Sequence, residues 1–227
     1  FIPEGPNITS LSPNFGTAGE ILAINGAAFG TTGSTVNFHN IKAAWSAWSD
    51  TKTTATVPSL SGLSTGVIPV NVNIENSTGT SANAVFYYIN DAPIISDVQP
   101  STGLKNTAVT VSSISGSNFS PTATLRLTKF GQTTIVASNV SIATTTRISA
   151  ATFTLAGAAT GFWTLVIINP DGSTFSLGNA FEVIVPVPAT PANFAGVALS
   201  STSILWSWQD AATDETGYRV YAATGGR

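Results

Sequence analysis

Cysteine and methionine are both absent from this 227-residue sequence, and histidine occurs once. Without cysteine there is neither a disulfide framework nor a thiolate metal site. Charge is scarce as well: 8 Lys and Arg with 11 Asp and Glu make 8% of the chain, against roughly 25% in an average soluble domain. A nucleic-acid partner needs clustered basic residues to neutralise phosphate. Here they are scattered, and the net charge is −3. The same scatter argues against an anionic membrane surface. No apolar run reaches the roughly 18–20 residues that cross a bilayer as a helix, so no direct membrane insertion is expected. The sequence starts at Phe1 and shows no leader pattern, which reads as a mature or excised chain.

What the sequence does hold is apolar and repetitive. Hydrophobic residues make 43% of the chain, enough for sizeable cores. Ser and Thr supply much of the polarity, and Thr favours strands. The chain repeats itself with a period of about ninety residues. Pro6, Ile8, Pro13 and Gly16 recur as Pro93, Ile95, Pro100 and Gly103. Gly26 and Phe29 recur as Gly116 and Phe119, and Asn76 with Gly79 recurs as Asn169 with Gly172. Leu22 and Ile24, then Val36 and Phe38, then Val70, Val72 and Ile74 alternate with polar residues in the first copy. Val109 and Val111, Leu125 and Leu127, and Trp163, Leu165 and Ile167 do so in the second. Period-two alternation with one polar face predicts antiparallel sheets packed on one side. Many short strands separated by turns predict β-sandwiches.

These motifs resemble IPT/TIG domains. The resemblance rests on the P-x-I-x-x-x-x-P-x-x-G opening, the two G-x-x-F steps, and Trp48-Ser49-Asp50 before Val57-Pro58. Gly161-Phe162-Trp163 through Asn169-Pro170-Asp171-Gly172 to Asn179-Ala180-Phe181 is similar to the variant in bacterial and archaeal surface proteins. The first copy departs from it, with Asn76-Ser77-Thr78-Gly79 in place of the N-P-D-G turn, and the second lacks the Val-Pro step. The resemblance implies an immunoglobulin-like fold used extracellularly as a spacer, adhesive or carbohydrate-associated module. It also implies that Trp48 is a core tryptophan.

After Val185 a linker stiffened by Pro186, Pro188 and Pro191 leads to a stretch similar to the start of a fibronectin type III domain. There Ile204, Trp206 and Trp208 share one strand face, and Asp214-Glu215-Thr216-Gly217-Tyr218-Arg219-Val220-Tyr221 follows, the whole similar to the first three strands of such a domain. The expected organisation is an IPT/TIG domain at 1–90, a second at 91–185, a linker at 186–191, and part of a fibronectin-like domain at 192–227. The fold class is all-β: tandem immunoglobulin-like sandwiches plus an incomplete fibronectin-like one. A sandwich of that last kind needs about seven strands, so its aromatic face awaits either a continuation of the chain or strands from a neighbour.

Candidate chemistry is thin. His39 follows Phe38 on an expected strand and reads as an exposed strand residue. No G-x-S-x-G elbow is present. Asp210, Asp214 and Glu215 cluster on one loop, whereas glycosidase carboxylates face each other across a cleft. They read as a solvated loop, with a weak calcium site as the lesser reading. Asn7, Asn76, Asn118 and Asn139 each head an Asn-x-Ser/Thr sequon, a number that chance supplies in so Asn-, Ser- and Thr-rich a chain. Trp163, Trp206 and Trp208 are expected in cores. Trp45 is the exception, because three residues before Trp48 it should point to the opposite face. With Ala43 and Ala47 it would form a flat apolar interaction surface, for a neighbouring module, another copy of the protein or a sugar. No cofactor is expected. The chain reads as a non-enzymatic structural or adhesive surface component, such as a subunit of a surface appendage or filament; the alternative is a carbohydrate-binding or spacer region of a secreted polysaccharide-degrading enzyme.

Overall fold

The computed structural model describes residues 5–213, 215 and 217–221. The strands of the first module are β1 (Asn7–Ser12), β2 (Phe15–Gly16), β3 (Ile21–Ala27), β4 (Thr35–Phe38), β5 (Ile41–Ala43), β6 (Trp45–Trp48), β7 (Lys52–Thr56), β8 (Val67–Asn76), β9 (Gly79–Thr80) and β10 (Ala84–Ile89). They form two sheets, ordered β1-β3-β7-β6 and β2-β10-β8-β4-β5, with β9 beside β8. The second module comprises β11 (Ile94–Gln99), β12 (Thr102–Leu104), β13 (Ala108–Val111), β14 (Ser113–Ser117), β15 (Thr124–Thr128), β16 (Ile135–Val136), β17 (Ser138–Thr144), β18 (Arg147–Thr154), β19 (Gly161–Ile168) and β20 (Thr174–Ile184). Its sheets run β11-β14-β18-β13, with β17 on β18, and β12-β20-β19-β15-β16.

The two modules share a plan. In each, the first strand ends before a proline, which cannot donate to the ladder, and the chain crosses to the other sheet. There β2 pairs with β10, and β12 with β20, in parallel. The alternating residues meet inside. Leu22, Ile24, Phe29, Val36, Phe38, Val72, Ile74 and Phe86 build one core. Ile114, Phe119, Leu125, Leu127, Ile148, Phe153, Trp163 and Phe181 build the other. Trp48 is half-buried against the first core.

Packing accounts for the repeated G-x-x-F. A Cβ on Gly26 would stand 2.0 Å from the Asn7 carbonyl oxygen and 2.6 Å from the Phe29 ring. On Gly116 it would stand 1.9 Å from the Ile94 oxygen and 2.4 Å from Phe119. Only glycine lets the first strand and the phenylalanine close on this point together.

His39 is exposed, but not as a strand residue. With Asn40 it forms the two-residue turn between β4 and β5, both at positive φ (45° and 69°), as a tight hairpin requires.

From Val185 the chain forms a separate unit: an antiparallel pair of β21 (Ala192–Ser200) and β22 (Ser203–Gln209). Residues 215 and 217–221 carry no strand, so the expected third strand is absent from them. Asp214, Thr216 and 222–227 lie outside the described residues. Trp206 and Trp208, expected in a core, keep 44% and 38% of their surface exposed. Phe194 stacks on Trp206 at 5.0 Å, but no second sheet covers this face among the described residues. Among the same residues no helix is long and apolar enough to cross a membrane.

Candidate functional site: the joint between the sandwiches and the Trp45 corner

The joint is built on the corner between β2 and β3. Gly19 N–H donates to the Val57 carbonyl (2.9 Å), Val57 N–H to Glu20 (2.8 Å), and Glu20 N–H to Thr17 (3.3 Å). The second module repeats this corner bond for bond, through Asn106 to Leu155, Leu155 to Thr107, and Thr107 to Leu104. Thr107 therefore occupies the place of Glu20. The corners agree in backbone and differ in what they present.

Glu20 is fully buried at the second module. Its Oε2 accepts from the Ser120 hydroxyl at 2.7 Å and from Thr122 Oγ1 at 3.1 Å. Ser120 Oγ in turn accepts from the Thr17 N–H at 3.2 Å. A Cβ on Gly19 would stand 3.5 Å from the Pro170 carbonyl oxygen, so the corner also meets the β19–β20 turn. Asn169 holds the receiving loop, accepting from Ser120 N–H (3.1 Å) and donating to the Asn118 carbonyl (2.9 Å). Asn118 donates to Ala92 in the connecting segment at 3.0 Å. Glu20 Oε1 has no partner among the described residues. Hydrogen bonds to a charged acceptor contribute about 1.5–3 kcal/mol each, and a buried oxygen left unpaired costs a comparable amount. The arrangement thus fixes geometry more than it adds stability. Single-copy reasoning passed over Glu20; the sequence signal was its replacement by Thr107 in the repeat.

On the β6–β7 side of its first sheet the first module has a corner of its own, where Trp45 pairs with Ala55 and Trp48 with Thr53. Trp45 and Trp48 do not point to opposite faces. Pairing of β6 with β7 shifts between Trp45 and Ala47, and this bulge returns Trp45 to the side of Trp48, with ring centroids 5.3 Å apart. Ala43 belongs to β5 in the other sheet and packs against the core. The flat patch of Trp45, Ala43 and Ala47 is therefore not formed, since the chain changes sheets at Ala44. Ala47 and Trp45 are exposed, Trp45 by 43%. The Trp45 ring lies on Gly33, where a Cβ would come within 2.0 Å of it. Its Nε1–H donates to the Ser34 carbonyl and that of Trp48 to the Gly30 carbonyl, both at 3.1 Å. On the same Gly30–Ser34 loop opens a hollow of about 210 Å³ lined by Thr32, Ser34, Asp50, Asn76, Ser77 and Thr78 among others. Asp50 Oδ1 accepts from the Gly30 N–H at 2.8 Å.

The sequons divide by structure. Asn76 and Asn118 spend their side-chain N–H groups on the Ala28 and Ala92 carbonyls, whereas Asn7 and Asn139 are exposed. In the last unit the Tyr218 hydroxyl bridges Asp210 and Glu215. That bond and the Ala212 N–H hold the Asp210 carboxyl below its ordinary range, and the same bond pushes the Tyr218 phenol well above its own. No group of three or more His, Cys, Asp and Glu could hold a metal among the described residues.

Residues 6–88 match the IPT/TIG domain family. The first module is an IPT/TIG domain. The second repeats the IPT/TIG topology strand for strand at its crossover and its corner. No curated protein matches the chain in sequence. Among solved structures, the Plexin A4 full extracellular region, domains 1 to 8, aligns with 79% of this chain at a TM-score of 0.62 and 13% identity. A second Plexin A4 structure, domains 1 to 10, aligns with 96% at a TM-score of 0.53 and 14% identity. The chain spans 18% of the length of either plexin structure. At such identity the likeness is one of fold: tandem immunoglobulin-like sandwiches.

Proposed function

We propose that the chain is a non-catalytic, extracellular structural and adhesive segment of a multidomain surface protein, and that its two sandwiches act as one rigid spacer. The observation that carries this reading is the Glu20 joint. Two modules that share only a flexible tether do not bury a carboxylate between them, because an ion is strongly hydrated and burial must be offset by fixed donors. Ser120 and Thr122 supply those donors. The IPT/TIG family match and the extracellular origin of the plexin structures support an extracellular spacer. The sparse charge of the chain leaves little repulsion between neighbouring copies, which favours a stalk or filament packed side by side.

Pulsed electron–electron resonance between spin labels on Lys42 and Gln132 tests the spacer. The unaltered chain should give one narrow distance distribution and Glu20→Ala a broad one. A broad distribution in the unaltered chain would refute the rigid spacer.

A further inference from the structure

The Trp45 corner offers two surfaces of opposite character side by side. The Trp45 N–H is already satisfied by the Ser34 carbonyl, so the exposed part of the indole presents apolar ring and nothing polar. Across the Gly30–Ser34 loop, the hollow is lined by the hydroxyl-bearing Thr32, Ser34, Ser77 and Thr78, the last with its hydroxyl donated to Asn76 Oδ1, and by the exposed carboxylate of Asp50, whose Oδ1 takes the Gly30 N–H. A ligand that suits both needs an apolar face and, around its rim, hydroxyl groups able to donate to a carboxylate. A pyranose ring has that form: axial C–H groups make one face apolar, fit for the electron-rich face of an aromatic ring, and equatorial hydroxyls radiate from the edge.

We propose that Trp45 and the adjoining hollow bind a neutral oligosaccharide. One sugar ring lies on the Trp45 indole, and hydroxyls of the same or the next residue donate to Asp50, whose charged oxygens make the strongest acceptors in the hollow. The ligand is neutral because a uronic or sialic carboxylate would face Asp50 without a basic side chain lining the hollow. The platform is rigid before binding: Gly33 lets the indole seat on the loop, and the Ser34 carbonyl fixes its tilt. Little side-chain entropy is therefore lost on binding. The inference deepens the adhesive part of the proposed function and names its ligand class. It stands apart from the rigid spacer, since none of the residues that hold Glu20 (Thr17, Ser120 and Thr122) touches Trp45 or lines the hollow.

The test is titration of the full chain with cellohexaose, xylohexaose, laminarihexaose and mannohexaose, followed by tryptophan fluorescence and calorimetry, with hexagalacturonate as the anionic control. At least one neutral hexaose should bind and the control should not. Trp45→Ala and Asp50→Asn should each weaken binding about tenfold or more, which corresponds to about 1.4 kcal/mol, while Trp45→Phe should retain most of it. Far-UV circular dichroism reports whether each variant is folded, and Asp50→Asn and Trp45→Phe keep the test decisive if Trp45→Ala is not. Glu20→Ala should bind as the unaltered chain does, so a flexible joint with intact sugar binding counts against the spacer alone. Failure of all four neutral sugars to bind, or equal binding by Asp50→Asn and Trp45→Phe together with Trp45→Ala, overturns the proposal. So does protection of Trp45 that appears only as protein concentration rises, which would make the corner a contact between copies.

Discussion

The Ser120 hydroxyl donates to the Glu20 carboxylate at 2.7 Å, across 100 positions of sequence and from one sandwich to the other. Ser120→Ala should therefore disturb both modules at once. A buried charged acceptor would lose a donor, and the Thr17 N–H would lose its acceptor. The expected loss is about 2 kcal/mol, read as a lower urea midpoint. Small-angle scattering should show a larger spread of sizes. An unchanged midpoint would mean that water replaces the hydroxyl and that the joint does not depend on this bond.

Gly26→Ala and Gly116→Ala should be among the costliest small changes in the chain. Each Cβ would meet a backbone oxygen, at 2.0 Å and 1.9 Å, and backbone cannot rotate away as a side chain can. A loss of about 3 kcal/mol per site is expected, at the upper end of overpacking costs. Thermal unfolding measures it. Loss of less than about 1 kcal/mol would show that the first strand can move off its ladder at little cost.

Trp163 and Trp45 should behave oppositely on truncation. Trp163 is fully buried in the second core, so Trp163→Ala should cost about 3–5 kcal/mol. Trp45 rests on glycine and a half-buried tryptophan, so Trp45→Ala should cost much less. Chemical denaturation of the two variants side by side settles the contrast, and equal losses would place Trp45 in the core.

The bond between Tyr218 and Asp210 predicts a window of pH for local order in the last unit. The Tyr218 phenol is raised, so its contribution is complete below the ordinary tyrosine range and is lost as pH climbs past the raised value. The Asp210 carboxyl is lowered, so its contribution is complete above the ordinary carboxylate range and is lost as pH falls through the lowered one. The contribution should be complete between roughly pH 5 and pH 10 and fade only beyond the shifted values on either side. Alkaline titration of tyrosinate absorbance should show one phenol lagging the others, and Tyr218→Phe should remove it. If all phenols titrate together, the bond does not exist in solution.

The sandwiches were legible in the sequence because burial in a sheet repeats every two residues. Val70, Val72 and Ile74, or Trp163, Leu165 and Ile167, name the inward face without any structure. The repeat added which strands correspond, and it marked Gly26 and Phe29 as a pair before their contact was visible. Trp45 could not be oriented this way. A single bulge at β6 reverses the parity of every residue before it, and no local pattern announces that bulge. Glu20 was hidden for a different reason. Its partners, Ser120 and Thr122, lie in another module, and how two finished sandwiches dock depends on the shapes and donors at their ends, which periodicity does not encode. The sequence by itself determined the class of fold and the inward-facing residues of the two cores. Tertiary structure alone decided that the modules lock through a buried carboxylate, and that Trp45 shares a loop with a hydroxyl-lined hollow.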